Sequence, residues 1–125
     1  VGCVVLCAET GRTLGTGYNT PSVGFTKDEI DWNASRPTVP NEWIDSKFPY
    51  VQHAAVMGMI TARGKLNGKM ILILNSHPCH ECAITMACGG DVVKVIYRNP
   101  PKGVSENAAV SIMKRAGIES EQLHV

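Results

Sequence analysis

The chain has 125 residues, 44% of them hydrophobic and 18% charged, with 12 basic against 11 acidic side chains for a formal net charge of +1. That length fits one compact domain over residues 1–125, and near-neutrality without a basic block excludes a surface that coats duplex nucleic acid. The longest apolar runs, such as Ile71-Leu72-Ile73-Leu74, fall far short of the ~20 residues of a membrane span, so no membrane partner is expected.

Gly2 to Ala8 is an unbroken apolar run and reads as a buried strand. After the turn Glu9-Thr10-Gly11-Arg12, Thr13 to Tyr18 returns as the second arm of a hairpin. Asn19 to Gln52 is long, polar and interrupted by Pro21, Pro37, Pro40 and Pro49, and a stretch of that length in a compact domain is usually functional. His53 to Arg63 lacks proline and places Ala54, Val56, Met57, Met59 and Ile60 where a mostly buried helix needs them, with Gly64 as its stop. Lys69 to Asn75 is the clearest strand. Pro78 then opens a helix from Cys79 to Cys88, closed by Gly89-Gly90. Val92 to Tyr97 is a fourth strand, and Pro100-Pro101 bars an immediate helix. Ser105 is expected to cap a helix that runs to about Ala116, with Glu106 in its first turn, and Ile118 to Val125 to supply a fifth strand. The order indicates an α/β sheet with helices on its faces.

The chemistry gathers on three residues. Pro78-Cys79-His80-Glu81-Cys82 sets two sulfurs one helical turn apart, and His53 opens another helix. Zn²⁺ favours tetrahedral Cys and His coordination, and three protein ligands leave a fourth position for water, as catalytic sites require. Two other readings stay open: Cys79 and Cys82 as a redox pair, or a closed structural zinc completed by His77 or His80. Without such roles those two histidines read as surface residues. Cys3 and Cys7 read as buried small hydrophobes, Cys88 as a helix-end core residue, and Met57, Met59 and Met86 as core filler. The cysteine count of five is odd, which fits metal or chemistry in an intracellular, cytoplasmic setting better than a disulfide framework.

H-x-E followed by P-C-x-x-C is the signature of the zinc-dependent nucleobase deaminases. The chain matches it at His53-Ala54 and Pro78-Cys79-His80-Glu81-Cys82, with Ala55 in place of the acid. Gly17-Tyr18-Asn19, the stretch Gly24 to Trp32, and Lys47-Phe48-Pro49-Tyr50 resemble, within that superfamily, the deoxycytidylate (dCMP) deaminases. The resemblance implies a three-layer α/β/α cytidine deaminase-like fold around a mixed sheet of about five strands. It implies Zn²⁺ on His53, Cys79 and Cys82, and hydrolysis of dCMP to dUMP with release of ammonia. Asn19 would contact the sugar, and the backbone N–H of Ala54 the pyrimidine carbonyl. Family members are commonly homo-oligomers, hexamers among them, regulated by dCTP and dTTP with Mg²⁺; the corresponding effector stretch includes Gly24, Lys27 and Asp28.

Position 55 is the departure that matters most. The family's glutamate there shuttles protons between the water, ring N3 and the leaving amine, and Ala55 carries none. The expectation is a chain that binds zinc and nucleotide but deaminates very slowly. The otherwise intact site favours a Glu-to-Ala substitution in an active enzyme over a natural pseudoenzyme serving as a nucleotide-binding regulator. Met57 and Gly58 also depart from the usual H-A-E-x-N-A, which leaves dCTP, 5-modified dCMP or a nucleoside as alternative substrates. The family's helix before the first strand is missing from the sequence, so Lys47 and Arg98 are only candidates for the 5′-phosphate.

Overall fold

The computed structural model describes residues 1–25, 50–62 and 68–124. By its internal contacts the chain forms two compact units, Val1–Tyr18 with His53–Val125, and Asn19–Gln52.

In the larger unit the hairpin β1 (Gly2–Cys7) and β2 (Thr13–Tyr18) forms as expected, Gly11 taking φ 73° in the turn. Further on come α1 (Ala54–Ala62), β5 (Met70–Ser76), α2 (His80–Gly89), β6 (Val92–Asn99), α3 (Gly103–Arg115) and β7 (Glu119–Gln122). Between β2 and α1, in the smaller unit, β3 (Thr20–Pro21) and β4 (Val51–Gln52) pair as a two-residue ladder, and Phe25 stacks on Tyr50. The main sheet runs β2-β1-β5-β6-β7. Its hairpin side is antiparallel, and β5, β6 and β7 are parallel. It is the mixed α/β sheet of five strands that the sequence implies.

Strand register fixes which side of the sheet holds the core. Cys3 and Val5 stand opposite Gly17 and Gly15 on one neighbour and Leu74 and Leu72 on the other, and Leu72 opposes Val95. These residues share one face and one core with Ala54, Ala62, Cys82, Ala83, Met86, Ala109 and Met113 from the helices. Both parallel crossovers step the same way across the sheet, and right-handed connections then put α2 and α3 on one side. All three described helices therefore form a single layer. The opposite face presents Val4, Leu6, Ile71, Ile73 and Ile96 with Lys94, which pairs with Glu121 at 2.9 Å. Among the described residues no helix covers that second face, and none is long and apolar enough to cross a membrane.

Glycine on β2 sets how closely α1 lies on the sheet. A Cβ at Gly17 would run into the backbone of Ala54 and Gly58, and one at Gly15 would come within 2.7 Å of Ala62 N. The helix backbone thus rests directly on the strand. This contact fixes the height of α1 above the sheet, and His53 immediately precedes its first turn.

Candidate metal centre

Two helix starts build the centre. His53 closes the first turn of α1, its carbonyl accepting from Met57 N at 3.0 Å. Pro78 leads the chain out of β5, and Cys79 takes the extended conformation of an N-cap (φ −78°, ψ 171°) before α2. Cys82 lies three residues on and turns inward with Ala83 and Met86. Both positive helix ends therefore face the same spot, where they favour thiolate.

Nδ1 of His53 lies 3.2 Å from Cys79 Sγ and 3.3 Å from Cys82 Sγ, and the sulfurs are 3.5 Å apart. Zinc–sulfur bonds of about 2.3 Å and zinc–nitrogen bonds of about 2.0–2.1 Å at tetrahedral angles would set such donors roughly 3.5–3.8 Å apart. The observed triangle needs to open by only a few tenths of an ångström. One imidazole and two thiolates are also the donor set zinc prefers, and their summed charge neutralises a dication. Among the described residues, no fourth His, Cys, Asp or Glu joins the group.

The protons are distributed to suit such a centre. Its hydrogen bond with Cys82, reinforced by His53 and by the Cys82 backbone N–H, pulls the Cys79 thiol down to about 3. The bond with Cys79 and burial push Cys82 up, so one proton is held between the two sulfurs. The Cys79 bond also raises His53, against the cost of burying its charge.

Other residues singled out in the sequence fall as follows. Ala54 and Ala55 are buried in the first turn of α1, Ala55 only 3% exposed. Asn19 lies between β2 and β3, and Gly24 takes φ 100° in a turn. Lys27, Asp28, Lys47 and Phe48 lie outside the described residues. Tyr18 is exposed at the end of β2.

Several expectations change, among them Cys7, which is only partly buried, and Ile60, which is 48% exposed. His77 is buried, not superficial: its Nδ1 meets the Pro78 carbonyl at 2.9 Å and its ring packs edge-on against Tyr97. Cys88 is exposed, because α2 turns Cys82, Ala83 and Met86 inward and position 88 falls on the other side. Ser105 does not cap its own helix, which starts earlier, after Lys102. Its hydroxyl instead accepts from the backbone N–H of His80 at 3.1 Å and lies 2.8 Å from His80 Nδ1. No spacing pattern could have paired two residues 25 positions apart on different helices.

Comparison with known proteins agrees with this geometry. The chain is 29% identical over 120 residues to deoxycytidylate deaminase of Mus musculus, covering 94% of this chain and 64% of that protein. It is 27% identical over 111 residues to that of Pongo abelii, covering 89% and 59%. The chain thus spans about three fifths of the length of these curated relatives. No protein-family model matches it. A solved structure from Thermotoga maritima, a diaminohydroxyphosphoribosylaminopyrimidine deaminase/5-amino-6-(5-phosphoribosylamino)uracil reductase, superposes with a TM-score of 0.53 at 17% identity. That match covers 97% of this chain and 28% of the other, and it establishes the fold.

Proposed function

We propose that this chain, of the cytidine deaminase-like family by its fold and its relatives, is the core of a zinc-dependent dCMP deaminase that Ala55 has left nearly inactive. The observation that carries the reading is the three-donor group His53–Cys79–Cys82, which no fourth protein ligand closes among the described residues. A zinc ion bound there supplies Lewis acidity and brings the pKa of a water to about 7.

The chain's own residues do the rest. His53 Nδ1 and the sulfurs of Cys79 and Cys82 hold the ion. The backbone N–H of Ala54 orients the pyrimidine through its carbonyl, and the Asn19 amide meets the sugar. Replacing the 4-amino group by oxygen requires a proton to leave water, reach ring N3, and another to reach the departing amine. Position 55 is where a carboxylate would carry them, and a methyl group cannot. Loss of a general acid–base group costs about 10²–10⁴-fold. Glu81 is exposed on the first turn of α2 and does not replace it. The wider reading includes a cytoplasmic homo-oligomer, with a triphosphate effector and Mg²⁺ at the stretch containing Gly24, Lys27 and Asp28.

Ala55 itself favours a second reading, a nucleotide-binding regulator that has lost its shuttle. One experiment separates the two. Ammonia release from dCMP, followed with zinc-loaded Ala55→Glu protein, should rise by at least two orders of magnitude over the chain as given. Zinc and nucleotide binding without turnover in that variant would overturn the enzyme reading and leave the regulator.

A further inference from the structure

We propose that Ser105 is a positioning residue for the metal centre: from α3 it holds the Cys79–Cys82 turn in its ligating shape. The proposal rests on the reading of His53, Cys79 and Cys82 as metal ligands. His80 is the first residue of α2 and stands between the two cysteines. The first N–H groups of a helix have no carbonyl partner within it, and cysteine offers no oxygen of the kind an N-cap usually supplies. From a neighbouring helix, the Ser105 hydroxyl serves the first of those N–H groups. It accepts from His80 N at 3.1 Å and meets His80 Nδ1 at 2.8 Å, so one oxygen ties down both the main chain and the ring of the residue between the ligands.

The mechanical consequence is specific. Three donors from two helices must meet one ion within a few tenths of an ångström. The α1 side is set by backbone resting on β2 at Gly15 and Gly17. On the α2 side, Cys82 is anchored by full burial, whereas Cys79 is only partly buried, at the N-cap of the helix. Fixing His80 fixes the backbone on which Cys79 turns. Partners that orient metal ligands in this way, without touching the ion, typically contribute about 10–100-fold to affinity.

The test uses the whole chain and compares Ser105→Ala, Ser105→Thr and His80→Ala with the unmodified protein. Zinc affinity is read by competition with a chromophoric chelator. Site geometry is read from the thiolate-to-cobalt and d–d absorption bands after Co²⁺ titration. Ser105→Ala should weaken zinc about tenfold and alter the cobalt bands, and Ser105→Thr, which keeps the hydroxyl, should restore both. His80→Ala keeps the backbone N–H and should lose less than Ser105→Ala. Unchanged affinity and spectrum in Ser105→Ala would overturn the proposal, as would equal loss in Ser105→Ala and Ser105→Thr. If the unmodified chain itself binds no Co²⁺ or Zn²⁺, the metal-centre reading fails and the proposal with it.

Discussion

Cys79 and Cys82 are chemically alike and three residues apart, yet their surroundings split them. Cys79 sits at a helix start with hydrogen bonds that hold it as thiolate, while Cys82 is buried and keeps the shared proton. Burial alone pushes Cys3 up to about 12. Alkylation by iodoacetamide should therefore discriminate among the thiols. In metal-free protein at pH 7, Cys79 should react readily, whereas Cys3 and Cys82 should react only after unfolding. Between pH 5 and 8 the Cys79 rate should stay nearly flat, because its thiolate is already formed above about 3, whereas an ordinary thiol would gain about tenfold per unit. Zinc should protect it. Peptide mass spectrometry of the labelled chain measures all of this, and a steep rise of Cys79 labelling with pH would contradict the assigned charge state.

At the scale of elements, the site depends on how closely α1 lies on β2. Gly17→Ala would drive a methyl group into the backbone of Ala54 and Gly58, which no rotamer change can relieve. Its expected cost is about 1–3 kcal/mol or more, with weaker zinc binding because α1 begins beside His53. Gly58→Ala is the informative contrast. Its methyl would meet Cys3 Sγ at 2.9 Å and Val5 Cγ2 at 3.0 Å, side-chain atoms of the buried core rather than backbone. Replacing glycine inside a helix also gains about 1 kcal/mol of propensity, so its net cost should fall below that of Gly17→Ala. Urea unfolding of the two variants checks the difference. Much of this layer was legible in sequence: the Ile/Leu run of β5, the Pro78 start and the Gly90 stop follow from local patterns. The unreadable part was non-local. Ser105 carries the composition of a cap, but only the packing of α3 on α2 decides which helix it serves. Cys88 looks like core by type, and only helix phase turns it outward.

For the molecule as a whole, the metal is a cross-link between segments that otherwise meet through packing. His53 and Cys79 are separated by 26 positions, and β5 lies between the helices they open. An ion that binds only this folded arrangement adds stability by mass action, about 2.7 kcal/mol at a hundredfold excess over Kd. For a chain of this length that corresponds to a rise in Tm of roughly 10 °C. Chelator should reverse it, and His53→Ala should abolish it. The same binding must also displace protons. Cys79 is ionised already, whereas Cys82 holds its proton and His53 is raised from its ordinary value. Near pH 6, where His53 is still charged, each zinc should release about two protons, one from His53 and one from Cys82. Above the His53 pKa the number should fall to about one. Zinc affinity should therefore climb steeply with pH while His53 is still charged, and more gently once His53 has lost its proton. Calorimetry in buffers of different ionisation enthalpy counts these protons directly. A count near zero at pH 6 would mean that the ion does not bind through His53 and Cys82.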